Sequence, residues 1–417
     1  MAMLGMPTFQ SMRSFILCLC LAIGLSHQST IGTRPADPNA ILKFREDGTF
    51  HVSVFSDTHL AMCAWHPGCL LQDKKGVKVI SDVLDMEKPD FAVFNGDLIN
   101  ADSAFKHNAS HYVDQLVKPL IDRGLTWGST YGNHDHQTQL DGDTLLAREQ
   151  MFAGARTTRM VQGDVGTTNY YLPVYPAGCN SGKDIRKCSP ELILWFFDSR
   201  GGRRYQEVGN KAVSNPNWVD TKVVEWFQQT TAEMRNKYQK VIPSVGFTHI
   251  PPYAMVRLQE KGVDKYHQPG INDETASPQG QGWCIDNTDG NPDCKYGLQD
   301  VPFMNAIVNT EGFMGLFSGH DHANSWCHKW TEKLPGMTVK GRGVHLCFGQ
   351  HTGYGGYGNW IRGSRELLFS KDDIKKFVFD SHIRLESGGI VGAISLNSTY
   401  GEDSYPETPN DKTYLYG

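Results

Sequence analysis

Five short polar motifs occur in order along this chain, and each follows an apolar run typical of a strand. They are Asp57-Thr58-His59, Gly96-Asp97, Gly132-Asn133-His134-Asp135, Thr248-His249 and Gly319-His320-Asp321-His322. Carboxylate, amide and imidazole groups are ligands that a pair of divalent ions accepts in hydrolytic enzymes. One such motif is more often a turn, a cap or a surface histidine. Five of them in order predict a single site for two adjacent metal ions.

The elements that must position these motifs follow a strand, loop and helix pattern in the first half of the chain. Strand-like runs at 51–56, 91–94 and 125–131 lead into the first three motifs, and apolar residues at helical spacing lie between them. A βαβαβ order implies parallel strands with right-handed crossovers. The carboxyl ends of parallel strands share one edge of the sheet, so ligands distant in sequence can converge there.

The second half repeats this pattern less regularly. Strands are expected at 191–198, at 241–247 before His249 and at 313–317 before His320, with a helix at 218–238. Runs at 344–348, 377–385 and 390–396 resemble strands without crossover helices and predict an antiparallel part. We interpret residues 255–300, rich in Gly, Pro, Gln and Asp, as a surface insertion. We expect 46–400 to be the catalytic domain and 401–417 a peripheral tail.

The N-terminus has the features of a targeting segment. Arg13 precedes the apolar run 15–25, and small residues near Gly24 and Ser26 suit cleavage, so residues 1–26 are predicted to be a signal peptide. An uncleaved anchor is the alternative. Residues 27–45 form an extended lead-in, and after signal removal no membrane span is expected. The formal net charge of −5 argues against a protein that coats nucleic acid.

The cysteines and two sequons agree with secretion. Cys18 and Cys20 lie in the signal peptide, which leaves an even number that we expect to pair with sequence neighbours. The expected pairs are Cys63–Cys69, Cys179–Cys188, Cys284–Cys294 and Cys327–Cys347. Other pairings remain open, because connectivity does not follow from sequence alone. Asn108 and Asn397 are predicted glycosylation acceptors in a secreted glycoprotein.

On these motifs the chain resembles the calcineurin-like metallophosphoesterases, specifically their purple-acid-phosphatase-related branch. The resemblance covers 57–322 and extends through Leu346-Cys347-Phe348-Gly349 and the Gly- and Tyr-rich stretch 353–365. It implies an α/β fold, a four-layer α/β/β/α sandwich of two mixed sheets. It also implies a first metal held by Asp57, His59 and His322, a bridging Asp97, and a second metal held by Asn133, His249 and His320. His134 is implied to contact the phosphate or the leaving group.

The chain departs from purple acid phosphatases in one respect. The family's iron-ligating Tyr, three residues after the Gly-Asp motif, is replaced here by Asn100, and His59 stands where those enzymes have Gly. A coloured ferric-tyrosinate centre is therefore not expected. The expected cofactors are two divalent or mixed-valence transition metal ions, with Fe, Zn and Mn as alternatives.

This ligand set predicts a secreted hydrolase of phosphate esters, most simply a phosphomonoesterase. Two bound ions lower the pKa of a water, so that hydroxide can attack phosphorus, and His134 can protonate the leaving group. A phosphodiesterase acting on nucleotides or lipid head groups is one alternative. A metal-stabilised binding protein that lacks catalysis is another.

Several further residues have open interpretations. Asp135 either orients His134 or caps its loop, and the arginines of 199–204 either bind an anionic substrate or form a charged surface turn. Solvated loop positions are favoured for three histidines, and packing against the insertion is favoured over substrate stacking for three aromatic residues. These residues are His66, His136 and His351, and Tyr354, Tyr357 and Trp360.

Overall fold

Each sheet of this protein has two buried faces. One packs against the other sheet and one against helices, which produces the layers. The structure is a computed structural model that describes residues 40–62, 67–105, 107–180, 185, 187–205, 212–289 and 294–416. The predicted signal peptide, most of the lead-in, Cys63, the side chain of Cys69 and His66 lie outside these ranges. Within them, no helix is both long and apolar enough to cross a membrane.

The secondary structure contains thirteen strands, seven α-helices and a short 3₁₀-helix (Asn133–Asp135) in the described ranges. The strands are β1 (Leu42–Lys43), β2 (Thr49–Phe55), β3 (Phe91–Asn95), β4 (Trp127–Thr130), β5 (Tyr170–Tyr175), β6 (Leu192–Phe197), β7 (Ser244–Thr248), β8 (Phe313–Ser318), β9 (Cys327–Trp330), β10 (Val344–Phe348), β11 (Gly363–Ser370), β12 (Phe379–Leu385) and β13 (Ile390–Leu396). The helices are α1 (Pro67–Glu87), α2 (Ala109–Ile121), α3 (Gly142–Glu149), α4 (Thr221–Tyr238), α5 (Tyr253–Lys261), α6 (Val301–Asn309) and α7 (Lys371–Ile374).

The strands form two mixed sheets. Sheet A has the order β1-β5-β6-β7-β8-β10-β9, and sheet B has the order β13-β12-β11-β2-β3-β4. One apolar core lies between the sheets and includes Val52 of β2 and Leu194 of β6. A second packs sheet A against α4, α5 and α6, and a third packs sheet B against α1, α2 and α3. The predicted four-layer α/β/β/α sandwich is therefore confirmed.

Two features of the sheets differ from the sequence interpretation. The run 344–348 is not wholly antiparallel, because β10 runs parallel to β8 and antiparallel to β9. β9 returns the chain along the sheet edge, so β10 can enter beside β8 without a crossover helix. Strands β1, β5, β9 and β11 had no prediction. In β11, Arg365 and Glu366 disrupt the apolar pattern, although both side chains are buried.

Three of the four expected cysteine pairs are disulfides in the structure. They are Cys179–Cys188, Cys284–Cys294 and Cys327–Cys347. The last pair joins β9 to β10 at directly opposed positions. The Cys63–Cys69 pair falls outside the part of the chain that can be compared and stays a prediction. The two sequons lie at partly exposed positions, with Asn108 just before α2 and Asn397 just after β13.

Candidate metal centre

The five motifs converge where the carboxyl ends of strands from both sheets meet. The residues from sheet B follow β2, β3 and β4, and those from sheet A follow β7 and β8. Residues of the first group are Asp57, His59, Asp97 and Asn133, and those of the second are His249, His320 and His322. A single parallel sheet would place all the ligands at one edge. This fold instead brings an edge of sheet A and an edge of sheet B together.

The predicted ligands form overlapping groups with closely spaced donor atoms. Asp57, His59 and His322 make one group whose ligand atoms lie within 4.8 Å of one another, and Asp97, His249 and His320 make another within the same limit. A third group joins His59 and Asp97 to His134. The side chains of the five most buried members, Asp57, His59, Asp97, His249 and His322, are at most 3% exposed. Such a cluster needs charge compensation, because buried charges are costly when unpaired.

Asp97 lies between the two groups. Its Oδ2 is 3.0 Å from Nε2 of His249 and 3.5 Å from Nε2 of His59. Its Oδ1 accepts a hydrogen bond from the backbone N–H of His134 at 2.8 Å. One carboxylate oxygen therefore faces an imidazole of each group, which is the arrangement that a ligand shared by two ions requires.

The orientation of the remaining donors fits metal ligation. Nδ1 of His249 is 3.0 Å from the carbonyl oxygen of Asn95 and must donate to it, which leaves Nε2, the nitrogen that faces the acids, as the one that could bind a metal ion. Oδ1 of Asn133 is buried without a hydrogen-bond partner. A buried amide oxygen without a partner is unfavourable, and an approaching cation would satisfy it. The residues present thus fit a pair of metal ions.

The pKa values of the metal-free chain show how these charges interact. Burial raises the pKa of Asp97, but the neighbouring His249 and His134 outweigh it and hold that pKa well below its ordinary value. Burial lowers the pKa of His249, yet the Asp97 carboxylate and its hydrogen bond raise it to about 10. Burial lowers the pKa of His59 to about 3. Protonated imidazole groups and bound cations would thus offset the same carboxylate charge.

His134 is more open to solvent than the five most buried donors. Its side chain is 34% exposed, and Nδ1 lies 3.2 Å from Oδ1 of Asn100 and 3.5 Å from Oδ2 of Asp102. Burial lowers the pKa of His134, but Asp97 and Asp102 raise it to about 9. Asn100, at the position of the iron-ligating Tyr in purple acid phosphatases, therefore contacts the predicted acid.

These groups open into a small cavity of about 270 Å³. Its walls include His134, Asn100 and ligand residues together with Met62, Ser277 and Tyr357. Met62 and Ser277 were not predicted from the sequence. Ser277 lies in the insertion, and no local motif marks a residue that reaches the site only through a long loop.

Asp135 caps its loop and does not orient His134. Its carboxylate is buried and accepts hydrogen bonds from the backbone N–H groups of Leu98 at 3.2 Å, Ile99 at 3.0 Å and Gly132 at 2.8 Å. It therefore ties the loop that carries Asp97 to the loop that carries Asn133.

The structure decides between the open interpretations of His136, His351 and Arg200. His136 and His351 are buried, at 8% and 2% exposure, so neither is a solvated loop residue. His136 faces Asp198, with Nε2 3.6 Å from Oδ2. Arg200 is also buried, and its guanidinium donates to the carbonyl oxygen of Trp218 at 3.0 and 2.9 Å, which leaves it no free edge for substrate.

The aromatic residues after β10 have different environments. The Tyr354 hydroxyl donates to Glu386 at 2.7 Å, and the Trp360 indole N–H donates to Asp273 of the insertion at 2.8 Å. Packing against the insertion is therefore correct for Trp360. Tyr357 lines the cavity and is partly exposed, at 47%.

The Gly96-Asp97 motif passes so close to His249 that only glycine fits at position 96. Gly96 has a φ of +88°, and a Cβ there would lie 2.2 Å from Nδ1 of His249. A side chain at this position would collide with the imidazole, so the Gly-Asp spacing reflects close approach of backbone to ligand.

The chain is similar to several known proteins. Residues 50–324, more than half of the chain, match the family model described as calcineurin-like phosphoesterase. The chain is 26% identical to probable inactive purple acid phosphatase 28 of Arabidopsis thaliana over 353 residues, which cover 79% of this chain and 77% of that protein. It is 25% identical to phosphatase DCR2 of Saccharomyces cerevisiae over 333 residues, 76% of this chain but 51% of that protein. The structure of a dimetal phosphatase from Danio rerio aligns with a TM-score of 0.49 at 11% identity, covering 84% of this chain and 98% of that one.

Proposed function

This chain belongs to the calcineurin-like phosphoesterase family, and from that premise we propose that it hydrolyses phosphate esters, most simply monoesters, with two metal ions. The observation that carries the proposal is the position of Asp97 Oδ2 between His249 and His59, beside the cavity lined by His134. A purely structural ion pair needs one imidazole partner, whereas this carboxylate oxygen faces two.

Each residue has a defined task in this proposal. Asp57, His59 and His322 would hold one ion, Asn133, His249 and His320 the other, and Asp97 both. Bound ions would supply an acidified water and positive charge for the phosphate oxygens. Fe, Zn and Mn all accept this mixture of oxygen and nitrogen donors.

His134 is the proposed general acid. Its Nδ1–H can donate to Oδ1 of Asn100, which directs Nε2 away from that loop. A protonated Nε2 can then give its proton to the leaving-group oxygen, and such assistance contributes roughly 10²–10⁴-fold to the rate.

The competing functions differ in measurable ways. A phosphodiesterase would use the same donors, and a metal-stabilised binding protein would keep the metals without turnover. The second alternative has one specific argument, since several relatives carry the word inactive in their names. All predicted ligands and His134 are nevertheless present in this chain, which favours catalysis.

The deciding experiment is a hydrolysis panel on protein loaded with a defined metal. Aryl phosphate, alkyl phosphate and bis-aryl phosphate are compared from pH 4 to 9, with Asp97→Asn as the control for contaminating activity. Faster turnover of monoesters supports the proposal, and faster turnover of the diester supports the first alternative. Two bound metals without turnover of any ester would establish the binding protein.

We also propose that the chain is secreted. The signal-like residues 1–26, the disulfides and the two sequons support this. Expression in a eukaryotic secretory host should give protein in the medium that begins near residue 27. It should lose mass on deglycosylation, with Asn108→Gln and Asn397→Gln removing the acceptors. Retention of the intact N-terminus on membranes would favour the uncleaved anchor.

A further inference from the structure

The imidazole of His322 is held between two other rings. The Tyr357 ring stacks on it with centroids 4.0 Å apart and an interplanar angle of 8°, and the His351 ring lies 3.8 Å away by the same measure. Nδ1 of His322 lies 2.9 Å from the carbonyl oxygen of Tyr357. The Tyr357 backbone N–H lies farther from Nδ1, at 3.3 Å. Because the shorter contact is with a carbonyl, which can only accept, we assign the proton to Nδ1 and the lone pair to Nε2. That Nε2 lies 3.6 Å from Oδ1 of Asp57.

A carboxylate from the insertion holds this stack in place. Oε2 of Glu274 accepts a hydrogen bond from the Tyr357 hydroxyl at 2.8 Å. Oε1 accepts from the backbone N–H of Ala323, the residue after His322, at 2.6 Å. The Tyr357 hydroxyl in turn accepts from the backbone N–H of His322 at 3.2 Å. One side chain of the insertion thus contacts both the ring partner and the backbone of a predicted ligand.

The backbone of Glu274 is held in place as well. Its carbonyl oxygen accepts from Nε2 of Gln259 at 2.7 Å and from Nδ2 of Asn324 at 3.2 Å. The loop that carries Tyr357 also packs tightly, because a Cβ on Gly356 would lie 2.2 Å from Cε1 of His322. These contacts leave the His322 imidazole little freedom to rotate.

We propose that Glu274 and Tyr357 are positioning residues for His322, so that the insertion sets the affinity of one of the two metal sites. The inference rests on the proposed function only in requiring that the chain binds two metal ions. Hydrogen-bond partners that orient a metal-binding histidine typically contribute 10–100-fold to metal affinity. The insertion, residues 255–300, would then act on the centre without contributing a ligand.

The test is zinc titration of metal-stripped protein against a chromophoric chelator, which needs no substrate. Glu274→Ala should weaken one of the two zinc sites by about 10–100-fold and leave the other unchanged. Tyr357→Phe should weaken the same site by about 10-fold, the lower end of that range, since the stack and the carbonyl contact remain. Glu274→Gln should fall between wild type and Glu274→Ala, because an amide keeps one acceptor oxygen. Glu260→Ala is the matched control, an exposed glutamate of the same insertion that pairs with Arg257.

Zinc affinities at both sites that match wild type in Glu274→Ala and in Tyr357→Phe would overturn the inference. If Glu274→Ala does not fold, Tyr357→Phe alone decides, because it removes only a hydroxyl. Wild-type protein that binds fewer than two zinc ions would contradict the proposed function itself. These results are distinguishable, since the first is a difference between variants and the last is a property of the parent protein.

Discussion

At the scale of single residues, the centre is marked by backbone conformation as well as by residue type. Asp57, His59, Asp97 and His320 have φ values of 58°, 45°, 52° and 75°, in the left-handed region. Each such residue costs on the order of 1–3 kcal/mol unless its surroundings compensate, and such residues cluster at functional sites. Sharp turns at strand ends let side chains from different strands point at one place, which explains why the backbone adopts them.

The bridging role of Asp97 can be tested by an isosteric change. Asp97→Asn keeps the side-chain volume and removes the negative charge that both metal groups share. We expect metal content by elemental analysis and turnover to fall together. Asp82→Asn, an exposed carboxylate of α1 paired with Lys78, should change neither. An Asp97→Asn protein that retains two ions and full activity would exclude a bridging carboxylate.

The role of His134 can be separated from metal binding. We expect His134→Ala to keep both ions while turnover of alkyl phosphates drops by roughly 10²-fold or more. The loss should shrink for aryl phosphates, because a good leaving group needs less protonation. Metal analysis and kcat on both ester types provide the check. Loss of metal would instead identify His134 as a ligand, a possibility raised by its grouping with His59 and Asp97.

At the scale of elements, the end of α1 is tied to sheet B by charge. Glu87 contacts His382 at 3.0 Å and Arg384, both on β12, and His51 of β2 at 3.7 Å. His51 in turn lies 2.9 Å from Glu366 of β11. The hydroxyl of Ser53 also donates to Glu366. The carboxylates of Glu87 and Glu366 thus have ion-pair and hydrogen-bond partners within the protein. We therefore interpret the group as a structural network and not as a third metal site.

This network predicts a loss of stability in acid. Burial raises the pKa of Glu87, but His382 and Arg384 outweigh it and lower that pKa to about 2 from an ordinary 4.5. A group with a depressed folded-state pKa stabilises above its unfolded pKa, and the contribution disappears as pH falls from about 4.5 to 2. We expect about 1–3 kcal/mol after allowance for solvent screening.

Urea unfolding from pH 6 to 2.5 measures this contribution. Glu87→Gln should be less stable than wild type at pH 6, and the difference should narrow towards pH 2.5. Glu311→Gln, an exposed glutamate paired with Arg235, serves as the control. A difference that stays constant with pH would show that Glu87 acts through packing and not through charge.

The disulfide between β9 and β10 should stabilise the edge of sheet A. Cys327 and Cys347 are buried, directly opposed and separated by 20 positions in sequence. Replacing both by Ala should lower the free energy of unfolding by roughly 2–4 kcal/mol. The disulfide restricts the unfolded chain, and its removal restores that chain's conformational entropy. Non-reducing peptide mapping should link these two cysteines. Mapping to other partners would reject the pairing.

At the scale of the whole molecule, three segments distant in sequence meet beside the centre. Residues of the tail pair with the Gly-rich loop, since Ile361 N donates to Asp411 O at 3.0 Å and Thr413 N to Asn359 O at 2.7 Å. Nζ of Lys412 reaches Oδ2 of Asp273 in the insertion at 3.1 Å. The tail therefore contacts both segments that surround His322.

Removal of residues 409–417 should loosen this arrangement. We expect the Tm to fall by a few degrees, as a loss of about 1 kcal/mol would produce, and proteolysis of the loop 353–362 to accelerate. A full-length protein with Tyr414→Ser and Tyr416→Ser is the control, because it keeps the backbone pairing. Unchanged melting and cleavage of the truncated protein would show that the tail contributes nothing to this region.

The chain's local patterns predicted a large part of this molecule. The strands predicted before Asp57, Asp97, His249 and His320 are present in the structure. They could be predicted because a buried strand followed by a polar turn is a short-range feature of the chain. The helix expected at 218–238 begins at Thr221, three residues later, and ends where expected. The family resemblance supplied the two-sheet architecture, which periodicity alone does not contain.

Tertiary structure decided the rest, because it depends on pairs of residues far apart in the chain. Arg365 and Glu366 interrupt the apolar pattern of β11 and are buried only because partners on other strands satisfy them, with Arg365 donating to Phe348 O at 2.7 Å. The contacts of Glu274 with Tyr357 and Ala323 likewise join an insertion to a loop that no local motif connects to it. The sequence by itself determined which side chains could bind metal and at which strand ends. Which partners orient them is set by packing between distant segments, since a hydrogen bond exists only once both groups are brought together.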